Sequence, residues 1–245
     1  MEENNNIPKI IHYFWFGNGE IPELFYKCLD SWKKFCPDFE IKRWDETNFD
    51  INMSTYTKEA YEQKKYAFVS DYARFYVVEK YGGIYLDIDV ELVNSIEKLL
   101  EKESFCGFEY NSNLVNPGLI LGSVPHGKFV SSVLDYYNSL GEFKFGTHTV
   151  CTISSEILSQ NFSIDLSKYD EIQDVSNVTV YPAKYFCAYD QISKKIMRDK
   201  ETISIHHYNA SWLRPKDKFI NFIKKIVYSI LGKRNYEKLK KMLKK

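Results

Sequence analysis

The sequence predicts an α/β domain: a sheet that opens with a parallel strand–helix–strand unit and carries its chemistry at strand ends. Three observations predict it. Pro8 to Gly17 (PKIIHYFWFG) is a short apolar run closed by glycines, the mark of a buried strand. Phe25, Cys28, Leu29, Trp32, Phe35 and Cys36 then recur at helical spacing between Pro22 and Pro37. A second helical stretch, Thr57 to Tyr81, ends at Gly82-Gly83 and passes directly into Ile-Tyr-Leu-Asp-Ile-Asp-Val (84–90).

The remaining elements follow from local pattern. Gly17-Asn18-Gly19 is a turn without the glycine spacing of a dinucleotide fingerprint. Alternation over Phe39 to Trp44 makes a second strand, and the helical crossover before it starts a parallel sheet. Asp45 to Tyr56 is polar and irregular. Ser95 to Glu103 reads as a short helix or loop, Phe105 to Glu109 and Leu119 to Gly122 as strands, and Lys128 to Leu140 as a helix. Val150 to Ser159 is helical, Val178 to Tyr181 is a strand stopped by Pro182, and Ser204 begins a last strand that runs toward Trp212.

Bulk properties narrow the class. The 245 residues suffice for one sizeable domain with a small appendage. Net charge is zero, which gives no reason to expect a nucleic-acid partner. The zero conceals an asymmetry, because residues 216–245 hold eleven Lys or Arg against Asp217 and Glu237. With 19 Tyr and 17 Phe the chain is rich in rings that pack cores or present faces to sugars and bases. Five cysteines, an odd count without C-x-x-C, fit reduced thiols in the cytosol. The first six residues lack the basic-then-apolar pattern of a leader, and no apolar run reaches the ~18 residues of a bilayer span.

The chemistry centres on Asp87 and Asp89. On a strand rising ~3.3 Å per residue they stand on one face about 6.5 Å apart. Carboxylates held that close repel unless a cation lies between them, so the spacing points to a divalent metal carrying a diphosphate; the bland alternative is a solvated strand end. Asp71 and Arg74 share a helix face, either as a surface ion pair or as a fixed acceptor–cation pair for a polar ligand. His206 and His207 offer a further ligand or are a partly exposed pair. Trp15 is core or presents its ring to a base or sugar.

Four segments in order, I-P-K-I-I-H-Y-F-W-F-G (7–17), S-D-Y-A-R-F (70–75), Y-G-G-I-Y-L-D-I-D (81–89) and H-H-Y-N-A-S-W (206–212), resemble the DXD sugar-binding glycosyltransferases. Within these the chain is similar to bacterial capsular-polysaccharide transferases, yeast initiating mannosyltransferases and the catalytic domain of large clostridial glucosylating toxins. The resemblance implies a GT-A fold, a Rossmann-like mixed sheet flanked by helices, and retaining transfer from a UDP-sugar with Mn²⁺ or Mg²⁺. It implies donor binding by Trp15 with Phe14, by Asp71 and Arg74 on sugar and phosphate, and by Tyr85. Asp87 would serve ribose and metal, and Asp89 would be the main metal ligand. Ser211 and Trp212 would lie at the metal and leaving diphosphate, with His206 or His207 on the metal side. Asn116, before Pro117-Gly118, and His148 would be acceptor-side. The expected catalytic set is Asp87, Asp89, Arg74, Asp71 and Trp212.

This gives a GT-A domain over 1–215 and a basic amphipathic helical tail over 216–245. In the tail, Phe219, Ile220, Phe222, Ile223, Ile226, Val227, Ile230 and Leu231 form an apolar stripe flanked by lysines. The tail either lies on anionic lipid or packs on the domain. The leading expectation is a peripheral enzyme at the inner face of the cell membrane. It would move a hexose, from UDP-galactose or UDP-glucose, to a capsular or lipid-linked glycan. A toxin-like protein glycosyltransferase and an inactive sugar-binding scaffold are the alternatives.

Overall fold

The computed structural model describes residues 6–110, 112–146, 149–190 and 195–208. The first strand, β1 (Ile10–Phe14), leads into α1 (Glu23–Phe35) and then β2 (Glu40–Trp44), which lies parallel to β1 in full register from Ile10↔Glu40 to Phe14↔Trp44. α1 carries Glu23 in its first turn and Lys33 and Lys34 in its last, each complementing the helix dipole. Its buried face of Phe25, Cys28 and Trp32 matches the sequence periodicity.

Where one helix is expected over Thr57 to Tyr81 there are two, α2 (Thr55–Glu62) and α3 (Tyr66–Tyr81). Lys64 between them has φ of 56°, a left-handed conformation that ends the first helix. Ser54 caps α2, its hydroxyl accepting from the Thr57 N–H at 3.1 Å. β3 (Gly83–Tyr85) follows α3, and β4 (Val90–Leu92) follows a turn. A single 3₁₀ turn at Glu97–Leu99 precedes β5 (Ser104–Gly107) and β6 (Leu121–Ser123). Then come α4 (Lys128–Ser139), α5 (Val150–Asn161), β7 (Gln173–Val175), β8 (Val178–Tyr181) and α6 (Ala183–Phe186). β9 (Tyr189–Asp190), β10 (Lys195–Ile196) and β11 (Ser204–His206) complete the described elements.

The main sheet has seven strands in the order β2-β1-β3-β6-β5-β8-β7. β1 is parallel to β2 and β3, β6 runs antiparallel between β3 and β5, β5 is parallel to β8, and β7 is an antiparallel edge. This is a mixed sheet with flanking helices, the α/β class expected from the sequence. Strand alternation sorts side chains to two cores. Ile11, Tyr13 and Ile84 pack with α1, while Phe14 and Tyr85 pack with α3, α4 and α5.

Two contacts fix the framework around the site. The Trp32 indole N–H donates to the Val90 carbonyl at 2.7 Å, and the Leu92 N–H donates to Ser31 Oγ at 2.9 Å, so α1 holds β4 in place. Fully buried His12 lies 2.9 Å from the Gly82 carbonyl through Nε2 and accepts from the Trp44 indole N–H at 3.1 Å through Nδ1. That pairing selects the neutral Nε2–H tautomer, and burial pushes the His12 pKa down to about 4. Gly83 is required here: φ is +96°, and a Cβ would lie 2.8 Å from the Ile10 carbonyl.

The five cysteines are free, four of them buried and Cys151 half-buried, as their apolar positions suggest. His148, Ser211, Trp212 and the tail over 216–245 lie outside the described residues.

Candidate active site

Asp87 and Asp89 do not stand on a continuous strand. β3 stops at Tyr85, residues 86–89 turn, and the chain resumes at Val90 as β4, in a different sheet. The turn is closed by the Val90 N–H donating to the Asp87 carbonyl at 3.0 Å. It is anchored by the Leu86 N–H on the His12 carbonyl and the Asp87 N–H on the Gly118 carbonyl. The alternating pattern concealed it because Leu86, buried, and Ile88, packed against the same core, stay on the α1 side through the turn. The consequence is convergence: Asp87, Asp89 and His206 each offer a ligand atom within 4.8 Å of the others.

His206 reaches the cluster because β11 pairs antiparallel with β4, placing His206 opposite Val90. Its Nε2 lies 3.0 Å from Asp89 Oδ1 and 3.7 Å from Asp87 Oδ2. Burial disfavours charge on this imidazole. The charge and hydrogen bond of Asp89, with Asp87 and Glu109 behind them, outweigh that cost and raise its pKa. His207 turns elsewhere: Nε2 is 2.8 Å from Glu91 Oε2, which Lys27 also pairs at 2.7 Å. Of the two candidate histidines, His206 is the one that joins the aspartates.

Asp71 and Arg74 are not a surface ion pair. Their side chains are 13% and 5% exposed, and Arg74 Nη2 donates to Asp71 Oδ1 at 2.6 Å. Arg74 Nε donates to the Ser70 carbonyl at 3.1 Å, and its guanidinium lies 3.7 Å from Asp87 Oδ1 and 4.6 Å from the Tyr85 ring centre. Burial pushes the Asp71 pKa up to about 6; Arg74 opposes that shift and Asp87 adds to it. The Tyr85 hydroxyl donates to Asp87. Salt bridge, stacking and hydroxyl together bind α3 to the turn.

Trp15 stands just past the end of β1, half-buried, with its indole N–H donating to the Gly19 carbonyl at 2.8 Å. Phe14 is in the core, its ring centre 5.7 Å from that of Tyr85 and 5.6 Å from that of Phe16. Its side chain thus supports Tyr85 from behind and presents no open face. Asn116 is buried, and its Oδ1 accepts from the Gly118 N–H at 2.8 Å. Gly118 was not singled out by the sequence. A Cβ there would lie 2.4 Å from Asp87 Oδ2, so this glycine lets the 116–118 turn approach the carboxylate. Glu109, just past β5, was also missed; its position beyond the carboxyl end of a strand is the signal that could have marked it.

Two carboxylates and an imidazole form a donor set suited to Mn²⁺ or Mg²⁺, with substrate oxygens left to complete the shell. Arg74 adds a fixed cation beside it.

Residues 22–106 match the family model described as a glycosyltransferase sugar-binding region containing the DXD motif. Inositol phosphoceramide mannosyltransferase 3 of Schizosaccharomyces pombe is 30% identical over 150 residues, covering 58% of this chain and 39% of that protein. Mannosyl phosphorylinositol ceramide synthase SUR1 of Saccharomyces cerevisiae is 30% identical over 136 residues, covering 52% of this chain and 34% of that protein. The matches thus span well under half the length of these relatives. A solved structure described as PaToxG glycosyltransferase is 19% identical, covers 63% of this chain and 69% of its own, and has a TM-score of 0.48. The matched stretch contains Asp71, Arg74, Tyr85, Asp87 and Asp89, and over it the chain is similar to the DXD-motif glycosyltransferase sugar-binding family.

Proposed function

We propose that the protein is a retaining, metal-dependent hexosyltransferase that moves a sugar from a nucleoside diphosphate to a hydroxyl of a surface or lipid-linked glycan. The observation that carries this reading is the convergence of Asp87, Asp89 and His206 beside the buried Arg74. In it, Asp87, Asp89 and His206 hold Mn²⁺ or Mg²⁺, with Ser211 as a further ligand. The ion supplies positive charge against the departing diphosphate. Arg74 adds its own fixed charge, and a pre-organised cation of this kind contributes roughly a few kcal/mol to the transition state. Asp71, held by Arg74, accepts from donor-sugar hydroxyls. Trp15 stacks on the base, and Trp212 serves the leaving diphosphate.

UDP-glucose and UDP-galactose are the first donors to test. The mannosyltransferase relatives add mannose to the panel, and support an acceptor carried on a lipid. The basic tail, 216–245, would hold the enzyme at an anionic bilayer, at ~1 kcal/mol per well-placed Lys. Among the described residues no helix is long and apolar enough to cross a membrane.

The test is nucleotide release from UDP-glucose, UDP-galactose, their N-acetylated forms and GDP-mannose, with Mn²⁺, Mg²⁺ or EDTA. Release that requires a divalent ion is expected; none from any donor rejects the proposal. Docking is tested with phosphatidylserine vesicles, which should retain the full chain and release a chain ending at residue 215.

A further inference from the structure

The reaction also needs a group for the attacking hydroxyl, and Asp71, Arg74, Asp87, Asp89 and His206 are already assigned to the donor and the ion. Glu109 is a further carboxylate, linked to the cluster through Tyr208. It follows β5 and Phe108, whose bridge to Val115 closes the loop between them. The loop backbone is fixed: the Glu109 N–H donates to the Leu114 carbonyl at 2.9 Å and the Ser112 N–H to the Glu109 carbonyl at 3.2 Å. The side chain is half-buried. Tyr208, two residues past His206, donates its hydroxyl to Glu109 Oε1 at 3.2 Å, and its ring centre lies 4.1 Å from that of His206. The Tyr208 oxygen also lies 2.9 Å from Cys187 Sγ, to which the Tyr110 N–H donates at 3.3 Å. Glu109 is therefore one side chain removed from the metal-type donor cluster, and it is not one of the cluster's three members.

Its partners are too few for a structural carboxylate. Among the described residues no Lys or Arg pairs with it, whereas Asp71 has Arg74 and Glu91 has Lys27. An ionised carboxylate can accept about four hydrogen bonds. Within the described residues the Glu109 side chain accepts the one from Tyr208. Its charge reaches His206, and it reaches the Cys151 thiol in the first turn of α5, which also feels Asp71, Arg74 and Asp87. Glu109 thus acts on the same groups that the donor-side residues act on.

We propose that Glu109 is the acceptor-binding carboxylate: it accepts a hydrogen bond from the attacking hydroxyl of a polyol acceptor, a sugar or a cyclitol, with Tyr208 fixing its orientation. The proposal rests on the transferase reading above. In the transfer the C1–O bond to the diphosphate breaks as the bond from the acceptor oxygen to C1 forms. The hydroxyl proton leaves with the departing diphosphate oxygen. Glu109 orients the hydroxyl and takes no part in the proton transfer.

The experiment compares full-chain wild type, Glu109→Ala and Glu109→Gln with Mn²⁺. The donors are UDP-glucose, UDP-galactose and GDP-mannose, and the acceptors are methyl α-glycosides and myo-inositol. Transfer and donor hydrolysis are measured in the same tubes. Loss of a hydrogen bond to a charged group should lower the transfer-to-hydrolysis ratio of Glu109→Ala about tenfold or more. Glu109→Gln, whose amide oxygen still accepts, should fall less, with the change in acceptor KM. A drop of less than about tenfold in Glu109→Ala overturns the proposal. So does a parallel fall of transfer and hydrolysis, which would place Glu109 on the donor or the fold. If Glu109→Ala does not fold, as judged by melting, an unchanged acceptor KM in Glu109→Gln overturns it and a raised one supports it. Wild type that hydrolyses a donor but transfers to none of these polyols also overturns it. Wild type that releases no nucleotide from any donor rejects the transferase reading itself, a result separable from the others.

Discussion

The Arg74 guanidinium lies over the Tyr85 ring, 4.6 Å from its centre, and joins the middle of α3 to β3, the strand that leads into the aspartates. The Tyr85 hydroxyl completes the link by donating to Asp87. Tyr85→Phe keeps the ring beneath Arg74 and removes that one bond. It should cost about 1 kcal/mol in unfolding free energy and lower metal-dependent nucleotide release about tenfold. Wild-type turnover in a folded Tyr85→Phe would show that the hydroxyl's hold on Asp87 has no catalytic consequence.

Asp89→Asn removes a charge from a cluster in which Asp87 and Asp89 repel. The fold should persist, and nucleotide release should be lost. The sharper readout needs no substrate. A ligand at 100 times its dissociation constant stabilises by about 2.7 kcal/mol, so saturating Mn²⁺ should raise the melting temperature of wild type and leave that of Asp89→Asn unmoved. Equal shifts in both proteins would exclude Asp89 as a ligand.

Gly118→Ala separates site geometry from backbone strain. The added Cβ would meet Asp87 Oδ2 at 2.4 Å and Asn116 Oδ1 at 2.9 Å. Asp87 must move, and the Mn²⁺-dependent rate should fall about tenfold or more, out of proportion to any change in melting. Gly83→Ala should do the reverse. It forces a positive φ on alanine beside the Ile10 carbonyl, costs roughly 1–3 kcal/mol of stability, and acts on the site only through the fold.

His12 gives the fold an acid limit. Its native pKa of about 4 is below the ordinary 6.5, so between those values the unfolded chain binds the proton that the native protein refuses. Stability contributed here is whole above pH 6.5 and is lost as pH falls toward 4, by about 3 kcal/mol in all. Denaturant titrations across that window should show the slope, and a folded His12→Asn should flatten it.

Residues that carry chemistry were more legible than the backbone that places them. Asp71, Arg74, Asp87 and Asp89 stood out because charged side chains interrupt apolar runs at set spacings. The turn at 86–89 did not, since Leu86 and Ile88 keep up strand-like alternation while the backbone bends. Nor did the pairing of β4 with β11, which joins residues more than a hundred positions apart. The break at Lys64 was hidden because apolar side chains on both sides of it serve one core: Tyr56 and Ala60 before, Val69 and Tyr72 after. The choice between His206 and His207 was undecidable from adjacency. On a strand, neighbours face opposite ways, and only the partner strand reveals which way faces the aspartates. Glu109 had only its place past the end of β5 to mark it, with no spacing or partner in the sequence to single it out.

The pairing of β4 with β11 also sets an order of events during synthesis. Asp87 and Asp89 emerge early, with α3 and β3 already able to pack. The strand that pairs with β4 and brings His206 is made more than a hundred residues later. A ribosome-bound chain therefore carries both aspartates, Asp87 already within reach of Tyr85 and Arg74, before the histidine that lies 3.0 Å from Asp89 has been made. The three-residue cluster of Asp87, Asp89 and His206 is thus a property of the late chain, and any function that needs all three waits for β11.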